Sequence, residues 1–252
     1  GQIGYAYDGN NKTTRTHVGQ IKKQANFKLI AACDSDVKKT DQLKNNDKDN
    51  TKIYSNYETM LDNHNIDLLV LAIPSGEQKK IVDYALSRNI KNFIIEKPLL
   101  NNNDEISDVL NKVVEVQGKI YVNYPRTWDN SFLLAFKDAL SERIQHINVF
   151  ISGNFKENGC HLIDLIFQSL FNSDDGPIIS KNHSNDKNVS ISFKNKKQSF
   201  NINLTHISSK IDLFEIQIFF PFHILILEFG GAEVYKVSVH KDKFYDNYNG
   251  MK

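Results

Sequence analysis

Two cysteines, Cys33 and Cys160, are all that the 252 residues contain. So few, one in a predicted strand and one at a predicted helix start, suggest neither a disulfide framework nor a zinc site. Their scarcity points to a reducing, cytoplasmic setting. An excess of one charge is also missing. The chain has 31 Lys and Arg against 30 Asp and Glu, a net charge of +1, which argues against nucleic acid or an anionic membrane surface as main partner. No apolar run reaches the roughly 20 residues that span a bilayer, and no signal-peptide pattern opens the chain.

What is present fits a globular protein of two domains. Apolar residues make up 40% and charged ones 24%, both ordinary values. Residues 1–124 alternate short apolar strands with amphipathic helices. Strands are predicted at 27–33, 66–72, 92–95 and 119–123, and helices at 37–46, 57–63, 77–88 and 103–116, with a polar loop at 45–52. The alternation predicts a doubly wound parallel α/β sheet. From 125 the pattern changes: helix 129–142, strand 145–152, helix 159–171, then strands at 188–194, 198–206, 211–220, 222–229 and 232–239. That run predicts a second, α+β domain, 125–252, on a mostly antiparallel sheet. Turns are expected at Lys194-Asn195-Lys196-Lys197, Phe220-Pro221 and Gly230-Gly231. Leu213, Phe214, Ile216, Ile218, Phe219, Phe220, Phe222, Ile224, Ile226 and Phe229 exceed what one sheet face needs, so a partner subunit is expected on the other.

Three motifs carry chemistry. Glu96-Lys97-Pro98 directly follows the apolar strand Phe93-Ile94-Ile95, where open α/β sheets bind ligands. Ionisable groups there cost desolvation, so the pair reads as a working site. The opening Gly1-Gln2-Ile3-Gly4-Tyr5-Ala6 has the form of a dinucleotide fingerprint whose first glycine and preceding strand are absent, so the chain is expected to be an incomplete copy. Gly1 and Gly4 would let a pyrophosphate approach a helix N-terminus. Asp34 ends the second strand of such a unit, where an acid accepts hydrogen bonds from a ribose. It stands thirty positions after Gly4, beyond the usual gap of about twenty. The polar stretch Asp8-Gly9-Asn10-Asn11-Lys12-Thr13-Thr14 reads as the insertion responsible. Finally, Asn158-Gly159-Cys160-His161-Leu162-Ile163-Asp164 opens a helix that puts His161 and Asp164 on one face.

In this order and spacing, joined by Tyr57-Glu58-Thr59-Met60-Leu61, Ile66-Asp67 and Ala72-Ile73-Pro74, these segments resemble the glucose–fructose oxidoreductase and inositol dehydrogenase family, Gfo/Idh/MocA. The resemblance covers nearly the whole chain. It implies a Rossmann domain binding NAD(P), an α+β domain whose open sheet packs against another subunit, and hydride transfer between nicotinamide and a ring hydroxyl of a sugar, cyclitol or nucleotide sugar. By this resemblance Lys97 polarises the reacting oxygen and His161 is the acid–base group. Gly1, Gln2, Ile3, Gly4, Asp34, Pro74, Ser75, Glu96, Lys97 and Asn123 would line the cofactor. Tyr124, Arg126, Trp128, Glu157, Asn158 and His161 would face substrate, and no metal is implied. Asp34 favours NAD, while Lys38 and Lys39 keep NADP open.

Departures from the family pattern are visible. Glu157 stands where many members carry an aspartate, and Asn158-Gly159-Cys160-His161 resembles a subgroup with Asn-Gly-Ser-His, found among enzymes of surface-polysaccharide sugars. Gly76-Glu77-Gln78 replaces the histidines common after Pro74. The competing reading is a catalytically silent NAD-binding regulator or interaction protein on the same scaffold; retention of Lys97 and His161 favours the enzyme.

Overall fold

The computed structural model describes residues 3–5, 14–47, 49–128, 142–153, 155–170, 178–184, 188–194, 199–208, 210–211, 213–231, 233–241 and 249–251. The predicted helix 129–142, apart from its last residue, and the predicted turn at 195–197 lie outside them. The chain divides into two compact units, Gly1–Asn123 and Tyr124–Lys252.

The first unit is a Rossmann-type α/β unit in which, among the described residues, all strand pairs are parallel. Strands β1 (Ala31–Cys33) and β2 (Lys52–Tyr54) pair, and β3 (Leu69–Leu71), β4 (Asn92–Glu96) and β5 (Lys119–Asn123) form a second parallel set in that order. Helices α1 (His17–Lys23), α2 (Val37–Asn46), α3 (Tyr57–Asp62), α4 (Ser75–Ser87) and α5 (Asn103–Glu115) alternate with them. Four of the five starts follow from capping side chains, α4 following Pro74 without one. Thr16, Asp36, Asn56 and Asn102 each accept a backbone N–H of their own first turn, a device worth about 1 kcal/mol per helix. One core joins the two sets: Ala31, Cys33 and Tyr54 pack against the cluster built on Leu71, Val82, Ala85, Phe93, Ile95 and Val109. Gly118 turns the chain from α5 into β5, and a Cβ there would stand 2.2 Å from the Lys91 carbonyl oxygen.

The second unit holds, among the described residues, an eight-stranded sheet and helix α6 (Phe155–Leu170). Its strands are β6 (His146–Ile151), β7 (Ile178–Ser184), β8 (Asn188–Lys194), β9 (Ser199–His206), β10 (Phe214–Phe219), β11 (His223–Glu228), β12 (Glu233–Lys241) and β13 (Asn249–Met251). The order is β13-β12-β11-β10-β6-β9-β8-β7; β6 and β9 run parallel and every other pair is antiparallel. Period-two alternation puts Ile147, Val149 and Ile151 of β6 and Phe214, Ile216 and Ile218 of β10 on one face, where Leu162 and Leu165 of α6 pack on them. Full burial of one such side chain is worth about 1.5–3 kcal/mol.

The opposite face is less apolar than the sequence suggests. Of the ten apolar residues singled out, Phe214, Ile216, Ile218 and Phe220 are buried in the unit's own core. Phe219, Ile224 and Ile226 alternate onto the other face, with Glu215, Gln217 and Glu228 beside them. Across β8, β9 and β6 that face carries a polar ladder: Ser190 Oγ donates to Asn203 Oδ1, Ser192 donates to Asn201, and His146 bonds to Asn148 and Asn203. The apolar band therefore lies on β10–β12, with Phe150 of β6 at its edge.

Candidate active site

The glycine turn Ile3–Tyr5 sits on the start of α1. Carbonyls of Ile3 and Gly4 accept hydrogen bonds from the N–H groups of His17 and Val18, at 3.2 and 3.0 Å. In a continuous helix each carbonyl is bonded four residues on; here the partner comes fourteen residues on. Ile3–Tyr5 thus acts as a first turn stacked on α1, with the polar stretch 8–14 falling inside the break. Gly1 and Gln2 lie outside the described residues.

Four segments end at the carboxyl edge of the parallel strands, as ligand-binding segments of such sheets do. After β1, the Asp34 N–H donates to the Tyr54 carbonyl and its Oδ1 accepts the Asp36 N–H at 3.0 Å. Burial, helped by the charge of Asp34, pushes the Cys33 thiol up to about 11, so it stays a neutral core group. After β3, Pro74 precedes α4 and the Ser75 hydroxyl donates to Asn101 Oδ1. After β4 come Glu96, Lys97 and Pro98, the Lys97–Pro98 peptide being cis. After β5, Asn123 stands opposite Glu96 in the strand register.

Glu96 is 6% exposed yet held as an anion. Burial works against its charge, but hydrogen bonds from His17, Asn123 and the Lys97 N–H outweigh it and keep the carboxyl below its ordinary range. His17 Nε2 and Asn123 Nδ2 both reach Oε1 at 2.7 Å. An ionised carboxylate only accepts, so His17 Nε2 carries the proton in this contact. The main chain of the same turn is bracketed by fully buried Gln78. Its amide nitrogen donates to the Glu96 and Ile73 carbonyls, at 3.0 and 3.3 Å, and its oxygen accepts the Leu100 N–H at 2.8 Å. His17 and Gln78 are the residues that sequence reasoning missed. Gln78 stands at the departure noted after Pro74; His17 gave no signal of its own.

These residues fit a dinucleotide. The helix begins at a glycine turn, an acid closes β1, and polar side chains crowd the ends of β3, β4 and β5. Among the described residues no group of three or more His, Cys, Asp and Glu is placed to hold a metal, and no helix is long and apolar enough to cross a membrane.

In the second unit a cleft of about 450 Å³ is lined by Pro125, Arg126, Asn158, His161 and Gly230. Pro125–Trp128 forms a short 3-10 turn, tied to α6 by the Thr127 hydroxyl, which donates to Asp164. Asp164 has its carboxyl raised by burial, against that hydrogen bond. His161 is 6% exposed and meets the Tyr124 ring edge-on, centroids 5.8 Å apart. Burial, with the nearby charges of Cys160 and Asp164, pushes the Tyr124 hydroxyl up to about 12. The Arg126 guanidinium lies 3.7 Å over the Phe214 ring, beside Gly230, whose φ of +67° suits glycine. Asn158 donates to the Ser152 carbonyl at 2.7 Å, so its amide fixes the entry to α6. Trp128 is 74% exposed. Glu157 belongs to α6 by its backbone; its side chain is outside the described residues. An imidazole, an amide and a guanidinium thus share one cleft, a set able to move a proton and hold hydroxyl or anionic groups.

Residues 3–124 match the model of the oxidoreductase family with an NAD-binding Rossmann fold, Gfo/Idh/MocA. The match makes the first unit similar to the NAD-binding oxidoreductases of this family. No curated protein sequence matches it. Solved structures share its fold. The WlbA dehydrogenase of Bordetella pertussis, in complex with NADH and UDP-GlcNAcA, superposes with a TM-score of 0.70 at 15% identity, over 90% of this chain and 74% of that one. An NAD-binding protein of Listeria innocua gives 0.71 at 16% identity, over 93% and 76%. The myo-inositol 2-dehydrogenase of Lactobacillus plantarum gives 0.65 at 18% identity, over 84% and 73%.

Proposed function

We propose that this oxidoreductase exchanges a hydride between NAD and a ring hydroxyl or ketone of a sugar, with a nucleotide sugar as the leading substrate class. The observation that carries the reading is the fixed lysine turn, Glu96-Lys97-Pro98, whose carboxylate and main chain are both held. That anchoring is what a group acting on a reacting oxygen needs. The nicotinamide supplies the hydride acceptor or donor. In the oxidation direction the Lys97 ammonium stabilises the oxygen as negative charge develops on it, and the His161 imidazole takes the hydroxyl proton. In reduction His161 returns it. Asp34 accepts from the ribose hydroxyls and favours NAD, while Pro74, Ser75 and Asn123 flank the cofactor. Tyr124, Arg126, Trp128, Glu157 and Asn158 surround the sugar.

Support for the substrate class comes from the nucleotide sugar bound to the Bordetella enzyme and from the cyclitol named for the Lactobacillus one. The Asn-Gly-Cys-His run adds the likeness to enzymes of surface-polysaccharide sugars, and a cytoplasmic setting belongs to the same proposal. The apolar band on β10–β12 supports a homo-oligomer formed through the open sheet face.

Fluorescence titration with NADH and NADPH, followed by a turnover screen of nucleotide sugars, free sugars and cyclitols, tests the proposal. Saturable NADH binding and turnover that depends on Lys97 and His161 are expected. NADH binding with no turnover of any of these would turn the reading toward a silent NAD-binding regulator.

A further inference from the structure

His17 ties together, by its main chain and its ring, three parts of the first unit that are far apart in the chain. Its own N–H and that of Val18 hold the Ile3 and Gly4 carbonyls of the glycine turn. Its ring is 83% buried and reaches Glu96 Oε1 at 2.7 Å, across 79 residues of sequence. Glu96 in turn accepts the Lys97 N–H and the Asn123 amide. The chain of contacts therefore runs from glycine turn to the His17 main chain, and through its imidazole to the carboxylate and the lysine main chain. In sequence, the polar stretch 8–14 stands between the glycine turn and α1.

We propose that His17 is a positioning residue, acting through the Glu96 carboxylate to set the Lys97 turn and the glycine turn in one fixed relation. The proposal rests on the oxidoreductase reading for its purpose, but its geometry does not depend on substrate identity. With His17 as donor, Glu96 Oε1 has two N–H groups on it, and the carboxylate stays turned toward its own strand end, where it holds the Lys97 N–H. Without that donor a buried anion is left short of a partner, which costs far more than an exposed one would. The carboxylate then turns toward other donors or solvent and releases the lysine main chain, and the glycine turn, still on the main chain of residue 17, loses its link to that strand end. A coupling of this kind makes the cofactor turn and the lysine respond to one substitution, although neither touches the other directly in sequence.

The full chain carrying His17→Ala or His17→Gln tests this by two readouts. Lysines are labelled by reductive 13C-methylation, and the Lys97 resonance is identified by its loss in Lys97→Arg. NADH binding is followed by fluorescence. His17→Ala is expected to move the Lys97 resonance and to weaken NADH binding about tenfold or more. His17→Gln, whose amide can donate to the same carboxylate, is expected to restore the resonance and bring affinity to within about threefold of the parent. An unchanged Lys97 resonance in His17→Ala, or a His17→Gln variant as displaced as the alanine one, would overturn the role. A lowered melting temperature with both readouts unchanged would mean His17 only packs, and would overturn it equally. Should the parent chain bind no NADH, the dinucleotide reading falls, while the Lys97 resonance still decides the positioning role.

Discussion

His17 and Glu96 stand 2.7 Å apart, 79 positions distant in sequence, and their contact keeps a buried carboxylate ionised at the end of a parallel strand. The rest of the lysine turn is organised around that anion, and its consequences can be measured.

The first concerns acid stability. The carboxyl of Glu96 titrates below its ordinary value of 4.5 when folded, because hydrogen bonds from His17 and Asn123 outweigh burial. A depressed folded value means the native state binds fewer protons, so this group stabilises the fold above the unfolded value and loses that contribution as pH falls through the folded one. Thermal melting of the parent chain from pH 6 down to pH 3 should show the decline. Glu96→Gln should flatten it, and an identical slope in both would contradict the assignment.

Gln78 makes three hydrogen bonds from a fully buried side chain. Gln78→Ala strands two carbonyls and one N–H in the core and opens a void. A loss of at least about 2 kcal/mol in denaturant unfolding is expected. A loss under half that would mean the turn is held by other means.

Lys97→Ala and His161→Ala should each lower turnover at least about a hundredfold, the usual worth of electrostatic and acid–base groups, with NADH affinity nearly intact. Steady-state kinetics beside fluorescence titration separates the two effects. Near-parental turnover in either variant removes that residue from the chemistry.

Asp34 has two tasks that substitution can divide. Its Oδ1 accepts the Asp36 N–H and shapes the turn into α2, and the proposed cofactor role needs its negative charge. Asp34→Asn keeps an acceptor for the turn and removes the charge, so it should fold normally while narrowing the preference for NADH over NADPH. An unchanged ratio of the two dissociation constants would leave Asp34 with the turn alone.

Locally encoded elements were legible. Strand β4 was expected at 92–95 and runs Asn92–Glu96, because an apolar run of strand length stops at Pro98 without help from elsewhere. Helix α5 was expected at 103–116 and covers Asn103–Glu115, since Asn102 caps the Glu105 N–H within one turn. Helix α6 was expected at 159–171 but spans Phe155–Leu170. Gly159, read as a start signal, is buried within it, where packing overrides its poor propensity. The strand expected at 27–33 shrinks to Ala31–Cys33, Phe27 being exposed. Strands β7 and β13 were not foreseen, because their polar residues give no apolar alternation and only the ladder to β8 or β12 makes them strands.

Lys97, Glu96, Asn123 and His161 could be singled out because each lies beside a strand end or helix that short-range patterns announce. By itself, then, the order of residues determined the parallel α/β unit, the antiparallel sheet after it and the family motif. Tertiary structure alone decided which groups hold that motif: His17 on Glu96, Gln78 on the main chain around Lys97, and Thr127 on Asp164. The physical reason is range. Periodicity and capping act within a turn or a strand and leave a trace in neighbouring residues. A hydrogen bond that makes a buried charge tolerable is chosen only when the folded chain brings its donor there.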